Sequence, residues 1–241
     1  MAAASTVSTR AAMATAPTRQ RIRLSFMPTE PNRSLEAMLE LALATPGYFE
    51  RQELVELARV ATAALRNAGP LVELGSYCGR STVVLAAIVA RASRQLISID
   101  HHLGSEEMLP PFPYFDPALV DPYSGRFDSL GTLVETLDLA GLRSSVTLLV
   151  ANNRQADAML RAPAAFVLID GGHDQISPWW DLKIALRLLP KGGLLALHDV
   201  FENPSDGGRP PFWVMEAALH LGFAPFARLR SLATLVRNSD P

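Results

Sequence analysis

Short apolar runs alternate with longer amphipathic segments through most of the chain. Runs of four to six mostly β-branched or aliphatic residues are typical of strands, whereas segments with apolar residues at three- and four-residue spacing are typical of helices. The predicted strands are Leu71–Leu74, Gln95–Ile99, Val146–Val150, Phe166–Ile169, Leu194–Leu197, Ala224–Leu229 and Leu232–Val236. The helices predicted between them are Ser81–Arg91, Asp128–Leu139, Ala156–Arg161, Trp180–Leu189 and Phe212–Leu221.

This order of elements predicts an α/β fold. Strands that alternate with helices pair in parallel through right-handed crossovers, which gives a three-layer sandwich. The last two strands differ, because only Arg230 and Ser231 separate them, and we expect an antiparallel hairpin at the sheet edge. Two further helices precede the sheet, one behind the N-cap Ser34 and one near residues 51–67. The pattern therefore predicts one domain, over residues 25–241.

Two segments lie outside the alternation. Residues 101–127 form a connection too long for a plain crossover and contain a run rich in proline and aromatic residues. Because loops of this length are usually functional or disordered, we interpret them as a lid over the substrate, with an inert insertion as the alternative. Residues 1–24 are rich in Ala, Thr, Ser and Arg and lack acidic residues. We expect a flexible tail there, and an organellar transit peptide is the alternative.

Composition narrows the class of partner. About half of the residues are hydrophobic (49%) and the formal net charge is −2, without a block of like charges. This argues against a nucleic-acid or membrane partner and favours a small molecule. No apolar run reaches the roughly 18 residues of a membrane span. The single cysteine, Cys78, suits a reducing cytoplasm.

A glycine-containing turn follows the first parallel strand, with the spacing Glu73-x-Gly75-x-x-x-Gly79. Glycines allow a sharp turn and close approach to a ligand, and the next helix with Ser81 could hold a carboxylate or a phosphate. Asp100, at the end of the second strand, could accept hydrogen bonds from a ribose diol. The spacing is not Gly-x-Gly-x-x-Gly, which argues against a dinucleotide and for a methionine-bearing cofactor. Singly, these residues could also serve only the turn, the helix cap or the loop.

A second group of polar residues follows the fourth and fifth strands. Asp170 ends the fourth strand with His173 three residues on, and His198 and Asp199 end the fifth. If those strands pair, their carboxyl ends meet, and two carboxylates with an imidazole make a divalent-metal site. A metal there would lower the pKa of a substrate hydroxyl, and a nearby base would remove its proton. Capping, structural hydrogen bonding and burial are the alternative roles of these side chains.

The sequence from Val72 to Ser81, VELGSYCGRS, resembles the first motif of class I S-adenosyl-L-methionine (SAM)-dependent methyltransferases. The similarity is greatest to the metal-dependent O-methyltransferases of the catechol and macrolide-sugar groups, and it extends from about Leu71 to Val200. It implies a Rossmann-like, seven-stranded fold with Tyr77 and Ser81 at the methionyl end, Asp100 at the ribose and Asn153 near the adenine. The full set of cofactor-binding residues expected is Glu73, Gly75, Tyr77, Gly79, Ser81, Asp100, Asn153 and Asp170.

The same resemblance implies a metal site formed by Asp170, His198 and Asp199, and places the catalytic base at His173. The chain departs from the family pattern twice. His198 replaces a carboxylate, so that manganese, cobalt or zinc suit the site as well as the magnesium that we expect. Gly172 stands where the sugar-modifying enzymes carry an acidic base, which leaves His173 in that role.

The expected function is therefore metal-assisted methyl transfer from SAM to a hydroxyl of a small molecule. We expect a saccharide, with a catechol or phenol as the alternative acceptor. A hydroxylase-like protein, a nicotinamide oxidoreductase and a non-catalytic SAM-binding protein are alternatives of other classes. One tryptophan of Trp179, Trp180 and Trp213 is expected to face the acceptor pocket, and residues 202–209 could close it. The first two helices could cover the pocket or mediate a homodimer.

Overall fold

The computed structural model describes residues 34–112, 114–161 and 163–239, so the predicted tail at 1–24 lies outside them. Strand and helix bounds agree with the predicted ones to within three residues. The strands are β1 (Leu71–Leu74), β2 (Leu96–Asp100), β3 (Val146–Val150), β4 (Phe166–Ile169), β5 (Leu194–Leu197), β6 (Phe223–Leu229) and β7 (Leu232–Arg237). The helices are α1 (Leu35–Ala44), α2 (Arg51–Ala64), α3 (Arg80–Arg91), α4 (Leu130–Ala140), α5 (Asn153–Met159), α6 (Ser177–Leu188) and α7 (Pro210–His220).

The seven strands form one sheet in the order β3-β2-β1-β4-β5-β7-β6. The first five strands in this order pair in parallel, whereas β7 runs antiparallel to both β5 and β6. The prediction of a mostly parallel, seven-stranded sheet with an antiparallel edge hairpin is confirmed. The strand order reverses at β1, which lies between β2 and β4, and open α/β sheets bind ligands outside the carboxyl ends of their strands at such a point.

Helices cover both faces of the sheet. One apolar cluster includes Leu57 of α2 and Leu85 of α3, and a second includes Leu182 of α6 and Val214 of α7. Because β1, β4 and β5 lie between these layers, every residue of the three strands is buried. Their uninterrupted apolar runs, broken only by one glutamate, are the consequence. Within the described residues, no helix is both long and apolar enough to cross a membrane.

Candidate active site

A cavity of about 420 Å³ opens above the carboxyl ends of the parallel strands. Asp100, the last residue of β2, and Gly75, Asp170 and Asp199, which follow β1, β4 and β5, are part of its lining. Segments that approach from above complete it: the connection between α1 and α2, the predicted lid, and the loop after β5. The cavity therefore lies at the position that the strand order predicts for a ligand.

The loop after β1 is held in place by Asp100. One oxygen of this carboxylate accepts hydrogen bonds from the backbone N–H groups of Ser76 (3.0 Å) and Tyr77 (2.9 Å). The other oxygen accepts from the N–H of His102 at 2.7 Å. Asp100 lines the cavity, and its hydrogen bonds also fix the conformation of the loop after β1.

Gly75 permits the close approach of β1 and β4 at this loop. Its φ is +93°, and a Cβ atom built on it would lie 2.2 Å from the carbonyl oxygen of Asp170. No side chain fits between them, so the glycine at this position sets the spacing between the loop and Asp170.

Glu73 and Gly79 are not among the residues that line the cavity. The carboxylate of Glu73 is fully buried and accepts hydrogen bonds from the hydroxyls of Ser81 (2.7 Å), Thr82 (2.8 Å) and Ser98 (2.8 Å). The prediction of a direct cofactor contact by Glu73 was therefore wrong, because its side chain points into the protein between β1, β2 and α3. Gly79, with φ of +99°, starts α3 and packs against Leu133 instead.

Ser81 lines the cavity, but its hydroxyl donates to Glu73. That hydrogen is therefore not free for a ligand carboxylate. Burial raises the pKa of Glu73 to about 7, in spite of the three hydroxyl donors that lower it. Glu73 accepts hydrogen bonds from Ser81 and Thr82 in the first turn of α3, and these contacts explain why a glutamate lies within an otherwise apolar strand.

Asn153, the first residue of α5, also lines the cavity. Its side-chain N–H₂ donates to Oδ1 of Asp181 at 2.7 Å and to the carbonyl oxygen of Ser177 at 3.2 Å. Asp181 is 1% exposed, and its Oδ2 has no hydrogen-bond partner within the described part of the chain. Burial raises the pKa of this carboxyl well above its usual range. Asp181 also lines the cavity, next to Asn153.

Asp170, His198 and Asp199 come together as predicted. Nδ1 of His198 lies 3.0 Å from Oδ1 of Asp170 and 3.3 Å from Oδ2 of Asp199. One ligand atom from each residue lies within 4.8 Å of the other two. The backbone helps, because Asp199 has a φ of +55°, an uncommon conformation for a residue other than glycine at the point where the chain leaves β5.

The donor set fits a divalent cation. Nδ1 of His198 is buried close to two carboxylates, yet it has no hydrogen-bond partner in correct geometry among the residues described. Burial would lower the pKa of His198, but the neighbouring carboxylates raise it well above its ordinary value. Burial raises the pKa of Asp170. A positive charge is thus favoured between these groups, and two carboxylate oxygens with one imidazole nitrogen are ligands for such an ion.

His173 lies between this cluster and the lid. Its Nε2 is 3.4 Å from Oδ2 of Asp199, and its Nδ1 is 3.4 Å from Oε1 of Glu107. Burial would lower the pKa of His173, but Glu107 and Asp199 raise it. The imidazole lines the cavity, so it can reach a ligand there.

The predicted lid covers one side of the cavity. It contains two single-turn helices, Glu106–Met108 and Pro117–Leu119, and an isolated bridge between Val120 and Phe127. Leu119 and Phe127 pack on the buried Cys78, which anchors the lid to the loop after β1. Glu107 and Tyr114 line the cavity, so the segment is positioned as a cover.

None of the three tryptophans lines the cavity within the described residues, so the expectation that one would face it was wrong. Trp179 and Trp213 are exposed, and the ring of Trp180 lies under Lys183 on α6. Helical spacing placed these residues on outward-facing positions of α6 and α7. The aromatic residues that line the cavity are Tyr48, Phe49, Tyr77, Tyr114, Phe127 and Phe201.

Two groups that contact His198 were not predicted from the sequence. Glu53, on α2, places Oε2 at 3.4 Å from Nε2 of His198, and the ring of Phe49 stacks on the imidazole at 3.7 Å. Glu53 is far from His198 along the chain and lies in an ordinary helix start. Only the packing of α2 over the tip of β5 brings the two together.

Comparisons with known proteins agree with this geometry. A family model described as a methyltransferase domain matches residues 72–200. Cofactor-bound Rv0187 from MTB has a TM-score of 0.61 at 16% identity, over 91% of this chain and 94% of that one. The O-methyltransferase NovP has a TM-score of 0.63 at 17% identity, with 85% and 98% covered.

An O-methyltransferase from Bacillus cereus in complex with SAH has a TM-score of 0.56 at 15% identity, with 90% and 94% covered. At these identities the solved structures establish the fold, whereas the family model covers more than half of the sequence and establishes the family. The chain therefore belongs to the methyltransferase family, and its identification as a class I SAM-dependent methyltransferase is confirmed in family and in fold.

Proposed function

We propose that this methyltransferase transfers a methyl group from SAM to a hydroxyl of a small molecule, with the help of a divalent metal ion, and that the acceptor is a saccharide or glycoside. One observation carries the proposal: Asp170, His173 and Asp199 line one cavity together with Gly75, and the buried His198 lies next to the two carboxylates. The similarity in fold to an O-methyltransferase in complex with SAH supports SAM as the donor.

The donor would lie between the loop after β1 and α5. Gly75 and Tyr77 would contact its methionyl end, Asp100 would accept from the ribose hydroxyls, and Asn153 would lie near the adenine. All four residues line the cavity. Methyl transfer requires the acceptor oxygen in line with the sulfonium methyl group, and these contacts would fix the position of the donor.

Asp170, His198 and Asp199 would hold the metal ion, which we propose to be magnesium, with manganese, cobalt or zinc as alternatives suited to the imidazole. Bound there, the ion would orient the acceptor hydroxyl and lower its pKa. The side chains of Asp170 and Asp199 are each 22% exposed, so both carboxylates are accessible from the cavity. His198 is more deeply buried and would supply the third ligand.

His173 would act as the general base. It would take the proton of the acceptor hydroxyl as the C–O bond forms and the bond between sulfur and methyl breaks, so that the products are a neutral methyl ether, S-adenosylhomocysteine and a protonated imidazole. Asp199 and Glu107, on either side of the ring, stabilise the imidazolium and orient it. General-base catalysis of this kind contributes about 10²–10⁴-fold to the rate.

A saccharide acceptor is supported by the chemistry of the cavity. A sugar hydroxyl is a weaker acid than a catechol hydroxyl, so it depends more on an ion and a base acting together. Tyr48 and Tyr114 pack edge to face at 5.3 Å and line the cavity, and such rings stack on sugar rings as readily as on phenols. The loop after β5 adds Asp206, Gly207 and Gly208, which offer polar contacts to ring hydroxyls.

The test is a screen for methyl transfer from labelled SAM to glycosides, catechols and simple phenols, with and without exhaustive chelation. We expect labelled glycosides, loss of activity on chelation and recovery with Mg²⁺ or Mn²⁺. His173→Asn should lower turnover about 10²–10⁴-fold, and His220→Asn, at the far end of α7, is the control. Labelling of catechols alone would favour the catechol or phenol alternative, and undiminished turnover after chelation would contradict the metal role.

Two alternatives of other classes predict different results in the same assay. A non-catalytic SAM-binding protein would bind S-adenosylhomocysteine but label no acceptor. A hydroxylase-like protein would also leave every acceptor unmethylated, and would instead add oxygen to one of them.

A further inference from the structure

We propose that Glu53 is a positioning residue for the metal site: it fixes the imidazole of His198 so that Nδ1, and not Nε2, is the ligand atom. The inference rests on the metal site proposed above and concerns a residue outside the cavity lining. It explains how a histidine can occupy a position where the family pattern has a carboxylate.

The hydrogen-bond partners of Glu53 define what its carboxylate can do. Its Oε1 accepts from the backbone N–H of Ser231 (3.0 Å) and from the Ser231 hydroxyl (2.7 Å). Its Oε2 accepts from the N–H of Glu50 at 3.0 Å and lies 3.4 Å from Nε2 of His198. Because both oxygens are already acceptors for N–H and O–H groups, the group that Glu53 offers to His198 is a further acceptor.

A histidine ring nitrogen next to a hydrogen-bond acceptor is stabilised when it carries the hydrogen, because it can then donate a hydrogen bond. Nε2 of His198 therefore donates to Glu53, and when the ring is neutral, as metal binding requires, its lone pair is on Nδ1. That atom lies 3.0 Å from Asp170 and 3.3 Å from Asp199, and both of these residues line the cavity. Metal-bound histidines commonly donate their second N–H to a carboxylate, which fixes both the tautomer and the ring orientation.

The ring has little freedom to turn. Phe49 stacks on it with 3.7 Å between centroids and 19° between planes, and His198 is 3% exposed. Glu53 is itself 3% exposed and is tied both to the start of α2 and to the turn between β6 and β7. The imidazole is thus held by Phe49 and Glu53, and Glu53 is itself held by hydrogen bonds from Glu50 and Ser231. A carboxylate at position 198 would not fit this arrangement, because it would face the buried carboxylate of Glu53.

Metal binding, not turnover, provides the test. Co²⁺ affinity is measured from the visible absorption of the ion in the wild-type protein and in Glu53→Gln. The amide has only one oxygen, so it cannot accept from both Ser231 and His198. We expect the affinity for Co²⁺ to fall about 10–100-fold. Glu56→Gln, on the same helix, is the control and should keep the wild-type affinity.

A second measurement needs no variant. In the Zn²⁺-loaded wild-type protein, ¹⁵N chemical shifts distinguish the hydrogen-bearing and metal-bound nitrogens of the chain's five histidines. We expect Nε2–H and metal-bound Nδ1 for His198. Metal-bound Nε2, or Co²⁺ affinity in Glu53→Gln equal to that of the wild type, would overturn the role of Glu53. A wild-type protein that binds neither ion at these residues would instead overturn the metal site itself.

Discussion

Oδ2 of Asp199 lies 3.4 Å from Nε2 of His173. The same oxygen lies 3.3 Å from Nδ1 of His198, so one carboxylate joins the proposed base to the proposed metal site. This arrangement requires both parallel pairing of β4 with β5 and the turn at Asp199. It places proton removal and activation of the hydroxyl at neighbouring points of one cavity, which is what methylation of a weakly acidic oxygen needs.

Replacement of Asp199 should separate chemistry from cofactor binding. Asp199→Asn removes a metal ligand and the partner of His173, and we expect methyl transfer to fall at least about 100-fold, since a loss of roughly 3 kcal/mol corresponds to that factor. The affinity for S-adenosylhomocysteine, measured by calorimetry, should change less than about threefold. Asp138→Asn, on the exposed face of α4, is the control. A parallel loss of cofactor affinity would argue against the assigned role.

The lid should act through Glu107. Its carboxylate contacts Nδ1 of His173, so Glu107→Gln should lower kcat about tenfold with a smaller change in KM, because a mispositioned base affects mainly the transition state. Glu106→Gln changes the neighbouring exposed residue of the same helical turn and should leave kcat unchanged. Steady-state kinetics of the three proteins provide the comparison. Equal kcat values in all three would show that the contact has no catalytic role.

The close approach at Gly75 predicts a severe effect of a single methyl group. In Gly75→Ala the new Cβ would lie 2.2 Å from the backbone oxygen of Asp170 at a strained φ, so we expect loss of at least about 2 kcal/mol of stability and of cofactor binding. Gly131→Ala is the matched control, because Gly131 lies in α4 with open space around it, and alanine there should be neutral or stabilise by up to about 1 kcal/mol. Thermal unfolding with and without S-adenosylhomocysteine measures both effects.

Glu73 should make the stability of the protein depend on pH. Its pKa rises from 4.5 to about 7 on folding, so the folded state holds the proton more tightly than the unfolded state. The contribution of Glu73 to stability is therefore fully favourable below pH 4.5 and is lost as the pH rises to about 7, in total about 3 kcal/mol. Glu73→Gln should lack this slope. Denaturant unfolding of both proteins between pH 4.5 and 8 tests it, and a constant difference between them would refute the assignment.

Much of the fold follows from the sequence because burial on both faces leaves a local signature. The buried strands β1, β4 and β5 read as short apolar runs, and their predicted bounds match the structure at every residue. The positions of Asp170, His198 and Asp199 at strand ends were predictable for the same reason, since parallel strands share one carboxyl edge.

Other parts of the site depend on contacts between distant segments. Glu53 and His198 are in contact although they lie 145 residues apart in the sequence. The sequence around either residue does not indicate this contact. At Glu73 the motif predicted a contact with the cofactor that the structure does not show. The side chain points into the protein, where its carboxylate accepts hydrogen bonds from three hydroxyls. The prediction that one tryptophan faces the cavity failed because helical spacing alone does not show which face of a helix is turned to the cavity.

The most direct test of the central claim is a crystal structure of the protein with S-adenosylhomocysteine and Mn²⁺, with the ion located by its anomalous scattering. We expect an anomalous peak within coordination distance of Nδ1 of His198 and the carboxylates of Asp170 and Asp199, and a nucleoside between Asp100 and Asn153. An ion bound elsewhere, or a nucleoside outside this cavity, would contradict the proposed site.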